Sequence, residues 1–269
     1  MPTLYIVATP IGNLEDLTLR ALRILKEVDF ILCEDTRVTG KLLAHYEIKT
    51  PTISYHQHSN LHKVDRVLSL LEEGKNLALV TDAGTPGISD PGGMLVQAVL
   101  EKFDDEVKVE SVPGASAVTA ALSISGVAAD KFVFLGFPPH KKGRQTFIMK
   151  IIESEFPVVV YESKHRIIKF LEELKALNDE LKAVQAADQE GDEDNASNQD
   201  YEIEAEKKYY KKARKSECKK IVHLTSVVVC RELSKMYETV YRGELEKIIE
   251  KIKSNQDDQK GEFVVIIAK

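Results

Sequence analysis

Short apolar runs alternate with segments whose apolar residues recur at helical spacing, and this alternation persists through the first half of the chain. Leu4-Tyr5-Ile6-Val7-Ala8 ends on Thr9-Pro10-Ile11-Gly12-Asn13, the pattern of a buried strand followed by a tight loop. Across 18–28, Ala21, Leu22, Leu25 and Val28 share one helical face, with Thr18 placed as the N-cap. The pair of patterns repeats as strand 30–33, helix 36–46, strand 52–56, helix 61–71 closed by Gly74, and strand 76–81. Beyond a loop at 82–93 come a helix over 94–103, a strand over 107–112 and a helix over 115–124. Strands alternating with helices of about ten residues predict a parallel or mostly parallel sheet with helices on both faces.

The small, polar stretch 125–130 reads as a junction, which divides the chain into an α/β domain at 1–124 and a second α/β domain at 125–269. In the second, strands are expected at 131–136, 157–161, 226–230, 238–242 and 261–268, with helices at 164–177 and 243–252. Fewer crossover helices join these strands, so a mixed sheet is expected. A charged insertion near 179–222 interrupts them: 179–206 holds eleven Asp or Glu against one Lys, and 207–220 holds eight Lys or Arg against one Glu. Blocks of like charge with little to bury read as a solvated surface insertion, although the basic half could also touch RNA.

Composition narrows the class. The 269 residues are 43% hydrophobic and 30% charged, which describes a folded soluble protein. A net charge of -6 argues against a nucleic-acid binder held by a broad basic face, while leaving room for a local basic patch. Cys33, Cys218 and Cys230 show no C-x-x-C spacing, so neither a disulfide framework nor a zinc knuckle is indicated, and a cytoplasmic location fits. No apolar run reaches the roughly 20 residues of a membrane span, and no targeting segment is expected.

The densest chemical signal is residues 82–93, Asp-Ala-Gly-Thr-Pro-Gly-Ile-Ser-Asp-Pro-Gly-Gly, with four Gly and two Pro directly after a strand. Open α/β sheets bind ligands outside the carboxyl ends of their strands, where glycine lets a ligand approach the backbone. Two further loops, Thr9-Pro10-Ile11-Gly12-Asn13 and Val112-Pro113-Gly114-Ala115-Ser116-Ala117, follow strands in the same way. None matches G-x-G-x-x-G, a P-loop or a nucleophile elbow, which argues against a nicotinamide-dependent oxidoreductase, an NTPase or a hydrolase.

The order of these loops, with Cys33-Glu34-Asp35-Thr36-Arg37, Phe134-Leu135-Gly136-Phe137-Pro138, Tyr161-Glu162-Ser163-Lys164-His165-Arg166, Cys230-Arg231-Glu232-Leu233-Ser234-Lys235 and Gly261-Glu262-Phe263-Val264, resembles the tetrapyrrole methylase superfamily. Within it the chain is similar to the group that methylates the 2′-hydroxyl of a cytidine in 16S rRNA. The resemblance runs almost end to end, apart from the insertion. It implies two domains with S-adenosylmethionine folded into the cleft between them, a 16S rRNA or small-subunit substrate, and a homodimer. Carried over by motif, the implied cofactor residues are Pro10, Gly84, Thr85, Ile88, Ser116 and Ala117, with Tyr161 and Cys230 from the second domain.

Methyl transfer to oxygen needs no metal, but a ribose hydroxyl needs a base or a cation that favours its alkoxide. The candidates are Glu34, Asp35, Arg37, His56 and His58, and Asp35 with Arg37 is the preferred pair, beside Glu34. The same residues could instead form a helix cap and ion pair. His56, His58 and His62 admit a metal reading, but no other cluster joins them, so an RNA-facing edge that includes His58 is preferred. The group usually has Asn directly after the second histidine, where this chain reads His58-Ser59-Asn60. Lys141, Lys142 and Arg144 in His140-Lys141-Lys142-Gly143-Arg144 form a basic loop suited to RNA phosphates, or a merely solvated helix start. The other readings left open are a methylase of a tetrapyrrole, another small molecule or a protein, and a non-catalytic RNA-binding assembly protein.

Overall fold

The computed structural model describes residues 1–55, 61–90, 92–190, 224 and 226–268. By its contacts the chain forms two compact units, Met1–Ile124 with Glu232–Thr239, and Ser125–Arg231 with Val240–Lys269. The segment Glu232–Thr239 thus packs with the first unit although it lies late in the sequence.

In the first unit the strands are β1 (Thr3–Val7), β2 (Phe30–Cys33), β3 (Thr52–Ser54), β4 (Leu77–Leu79) and β5 (Lys108–Val112). They form one sheet in the order β3-β2-β4-β1-β5, and every recorded pairing is parallel. Strand periodicity sends alternate residues to opposite faces. Val7, Ile31, Ala78 and Val80 pack with α1 (Leu19–Glu27) and α2 (Thr36–His45), whereas Leu4, Leu32, Leu77 and Leu79 pack with α3 (Leu61–Glu72) and α4 (Gly92–Phe103). The fifth helix, α5 (Ala117–Ser125), follows β5. Helix α1 begins as its sequence dictates, with the Thr18 hydroxyl accepting from the Ala21 amide at 3.1 Å and Ala21, Ile24 and Leu25 buried.

The strand order carries a functional consequence. Because β2, β4, β1 and β5 lie side by side and run the same way, the loops that follow them emerge as neighbours at one edge. That edge is where open parallel sheets hold ligands.

The second unit contains β6 (Val133–Gly136), α6 (Arg144–Glu153), β7 (Val158–Ser163), α7 (Ile167–Glu190), β8 (Ser226–Arg231), β9 (Thr239–Gly243), α8 (Leu245–Ser254) and β10 (Glu262–Ala268). Its sheet runs β6-β7-β10-β8-β9, parallel at β6/β7 and antiparallel where β10 joins β7 and β8, so it is mixed as expected. Val160, Val229, Phe263 and Val265 form one core with Ile148 and Ile151 of α6, Phe170 and Leu174 of α7, and Ile248 and Ile252 of α8.

Two expectations need correction. Helix α6 was not among the predicted elements, although Ile148, Ile151 and Ile152 carry its buried stripe. Helix α7 continues to Glu190, well past the predicted end at 177, so the first part of the charged insertion is helical. The rest of that insertion lies outside the described residues. Among the described residues no helix is long and apolar enough to cross a membrane.

Leu25, fully buried between α1 and the sheet, tests this packing. Leu25→Ala is expected to destabilise the protein by about 2–5 kcal/mol, the usual cost of an unfilled leucine cavity, read as a lower denaturation midpoint in urea.

Candidate functional site

The loop after β1 is bonded directly to the loop after β4. The Thr9 amide donates to the Gly84 carbonyl at 2.9 Å, and the Gly84 amide donates back to the Thr9 carbonyl at 3.1 Å. The Thr9 hydroxyl donates to the Thr81 carbonyl at 3.0 Å. Gly84 adopts φ +87°, a conformation that L side chains rarely take, and a Cβ there would lie 3.5 Å from Ile11 Cγ2. The third loop joins through Thr85, whose hydroxyl donates to the Ala115 carbonyl at 3.2 Å.

The far end of the β4 loop is held by Asp90. Its Oδ1 accepts from the Gly87 amide at 2.8 Å and the Gly92 amide at 2.7 Å. Gly87 has φ +86°, and a Cβ on Gly92 would come within 2.8 Å of the Gly87 nitrogen, so the loop closes only on glycine. The first loop is backed by a distant segment. A Cβ on Gly12 would meet Lys235 Cγ at 2.4 Å, and the Ser234 hydroxyl donates to Asp16 Oδ2 at 2.5 Å.

Three loops of the first unit are therefore tied together, and they contain Pro10, Gly84, Thr85, Ile88, Ser116 and Ala117. Pro10 and Gly84 are buried, Thr85, Ser116 and Ala117 are half-buried, and Ile88 is exposed. The buried backbone of Gly84 beside the exposed apolar side chain of Ile88 fits a cofactor that combines an aromatic ring with polar groups, as S-adenosylmethionine does. Gly84 would admit it to the backbone, and Thr85 and Ser116 would border it, whereas the missing Cβ of Gly114 makes room for Ala8, whose Cβ would lie 3.0 Å away. In the second unit, Tyr161 of β7 and Cys230 of β8 flank the same β10 residue, Val264, on the face opposite the helix-covered core. Tyr161 is half-buried against Phe134 and Phe137, with ring centroids 4.9 and 5.4 Å away, and Cys230 is fully buried.

Beside the three loops, the end of β2 supplies Glu34, Asp35 and Arg37. Asp35 is the N-cap of α2, accepting from the Arg37 amide at 2.8 Å, and its carboxylate binds the Arg37 guanidinium at 2.6 Å and 3.0 Å. The cap-and-ion-pair arrangement is thus present. Hydrogen bonds from Arg37 hold the Asp35 carboxyl down at about 2, which makes it a weak proton acceptor. Arg37 itself is largely exposed.

Asp82, the first residue of the glycine-rich loop after β4 and not among the candidates expected from sequence, sits next to this pair. Its Oδ1 accepts from the Asp35 amide at 3.2 Å. Burial pushes its carboxyl up, with the charge of Asp35 adding to the effect and the Asp35 amide and Arg37 opposing it. The two neighbouring carboxyls are thus shifted in opposite directions, although Asp82 is exposed to solvent and Asp35 is half-buried. Glu34 lines a small recess with Tyr55, Thr81, Pro86 and Asp90. The strand order β2-β4 could have revealed Asp82, but no periodicity in the sequence encodes that neighbourhood.

Other expected residues are placed less uniformly. Lys141 and Lys142 are exposed, as an RNA contact requires. Arg144 is not. It is 7% exposed, donates from Nε to Glu173 Oε2 at 2.6 Å and from Nη1 to the Pro139 carbonyl at 3.0 Å, and so belongs to the interior of the second unit. The charge run counted it with the surface lysines because a sequence does not show which cation has a buried acid beneath it. His56 and His58 lie outside the described residues. Among the described residues no group of three or more His, Cys, Asp or Glu is placed to hold a metal.

Comparison with known proteins supplies the class. Residues 3–193 match the family of tetrapyrrole (corrin/porphyrin) methylases. The methyltransferase CobJ has the same fold, with a TM-score of 0.61 at 14% identity, the alignment covering 100% of this chain and 95% of that one. Two curated relatives are named ribosomal RNA small subunit methyltransferase I. That of Synechocystis sp. is 39% identical over 100% of this chain and 79% of its own length, and that of Haemophilus influenzae is 36% identical over 98% and 77%. The chain belongs to the tetrapyrrole methylases and, within them, to the ribosomal RNA small subunit methyltransferase I group. It is accordingly an enzyme of the methyltransferase class that depends on S-adenosylmethionine.

The tuning of the two aspartates has a measurable sign. Asp35, with its carboxyl depressed to about 2 from an ordinary 3.8, adds stability that is complete above 3.8 and is lost as the pH falls through 2. Asp82, raised in the fold, has the opposite sign and costs stability as the pH climbs past 3.8. Carboxyl carbon NMR titration is expected to place Asp35 near 2 and Asp82 above 3.8, and Arg37→Ala to return Asp35 toward 3.8. An Asp35 midpoint at its ordinary value in the wild type would contradict the ion pair.

Proposed function

We propose that this enzyme transfers a methyl group from S-adenosylmethionine to the ribose 2′-hydroxyl of a cytidine in 16S rRNA of the small ribosomal subunit. The observation that carries this reading is the placement of Asp82, Asp35 and Arg37 beside a glycine-rich, mutually bonded set of loops on one rim. The names of the curated relatives support the RNA substrate.

In this assignment Pro10, Gly84, Thr85, Ile88, Ser116 and Ala117 hold the cofactor. Bound there, S-adenosylmethionine supplies a sulfonium methyl group open to in-line displacement by oxygen. The chain must align the hydroxyl and take its proton, and holding the two partners in line accounts for most of the acceleration. Asp82 is the better proton acceptor, since its carboxyl is raised where that of Asp35 is held down. Arg37 stabilises negative charge on the nucleophile, Asp35 orients Arg37, and Glu34 borders the nucleotide. Lys141, Lys142 and His58 contact RNA. The enzyme works in the cytoplasm as a homodimer.

The decisive experiment is transfer of labelled methyl to purified small subunits and to naked 16S rRNA. Asp82→Asn, which keeps an acceptor for the Asp35 amide, is expected to lower kcat by about 10²-fold or more, the usual contribution of a general base. Asp35→Ala is expected to cost less. Label entering a precorrin but not rRNA would overturn the substrate assignment, and an unchanged kcat in Asp82→Asn would remove the base.

A further inference from the structure

Beneath the exposed Lys141 and Lys142 lies a buried ionic cluster that the reaction chemistry does not use. Glu162 is 1% exposed on β7. Its Oε1 lies 2.8 Å from Arg166 Nη2 and accepts from the Ser163 amide at 2.7 Å, while its Oε2 lies 3.9 Å from Arg144 Nη1. Each arginine also reaches the same turn. Arg166 Nη1 donates to the Pro138 carbonyl at 2.9 Å, and Arg144 Nη1 donates to the Pro139 carbonyl at 3.0 Å. Arg144 is further secured by Glu173.

Buried charge of this kind is poor evidence for stability, because well-packed apolar residues commonly serve as well or better. What apolar residues cannot do is bind two consecutive carbonyls. Pro138 and Pro139 have no N–H and fixed φ, so the turn cannot be held by a reciprocal backbone ladder. At its other end the Arg144 amide donates to the Lys141 carbonyl at 3.2 Å, and Gly143 turns the chain at φ +85°. Both ends of the loop are therefore fixed to one buried carboxylate cluster, with the two lysines left outside.

We infer that Glu162, Arg144 and Arg166 are positioning residues that preset the Pro138–Lys142 turn so that Lys141 and Lys142 meet an RNA phosphate without first being ordered. The inference rests on the reading of the substrate as RNA. Preorganisation of this kind acts on substrate binding rather than on the methyl-transfer step.

Two measurements test it. Amide hydrogen exchange on Arg166→Met should show faster exchange at 140–143 with the sheet unchanged, and this readout needs no substrate. Unaltered exchange in that loop would overturn the anchoring role. In methyl transfer to small subunits, Arg166→Met should raise the KM for RNA several-fold with kcat and S-adenosylmethionine affinity unchanged, and Arg166→Lys should rescue it only in part. Combined with Lys141→Ala/Lys142→Ala, it should add nothing further, because the lysines it serves are gone. Full additivity, or an equal loss of cofactor affinity, would overturn the proposal. Were the wild type inactive on rRNA, the function reading would fall while the exchange result still judged the anchor.

Discussion

The reciprocal bond pair between Thr9 and Gly84 is the constraint on which the site depends. Strands β1 and β4 are parallel and their ladder ends with them, so nothing in the sheet itself dictates how the two following loops lie. Two backbone hydrogen bonds, set antiparallel beyond the strand ends, join those loops, and the buried Thr9 hydroxyl adds a third attachment at Thr81. From Gly84 the constraint passes to Thr85 and the Ala115 carbonyl, and through Asp90 to the start of α4. A rim tied in this way is ordered before any cofactor arrives. That suits a reaction whose rate comes chiefly from alignment.

The same packing gives like side chains unlike chemistry. Asp35 and Asp82 end adjacent strands and share a hydrogen bond, yet one is spent on a helix N-terminus and a guanidinium while the other is partly desolvated beside a negative neighbour. Their separation follows from α2 starting directly after β2, which obliges the residue before the helix to cap it. In the second unit the lysines and the arginine of one basic run part company for a comparable reason. Lys141 and Lys142 stay in solvent, and Arg144 finds Glu173 and the edge of Glu162 beneath it.

Much of this was legible in the chain. Short apolar runs and helical spacing determined the strands and helices of the first unit, since those patterns are what burial on both faces of a strand or one face of a helix demands. Glycine and proline marked the ligand loops, and glycine alone tolerates the positive φ at Gly84 and Gly87 and the close backbone approach at Gly92. The family motifs led to the cofactor and to Glu34, Asp35 and Arg37. Helix α6 is the exception, because its stripe of Ile148, Ile151 and Ile152 follows directly on a polar, glycine-bearing loop whose charge masks the helical spacing.

Tertiary structure alone decided which residues are neighbours. Asp82 meets Asp35 only because β4 inserts between β2 and β1, Lys235 backs Gly12 across more than two hundred residues, and Glu162 gathers two arginines under one turn. Sequence by itself determined which backbone conformations and which burial faces were available, because those depend on each residue and its near neighbours. The opposite shifts of the Asp35 and Asp82 carboxyls, and the division of cations between surface and interior, required knowing what packs against each side chain, which is a property of strand order and not of spacing.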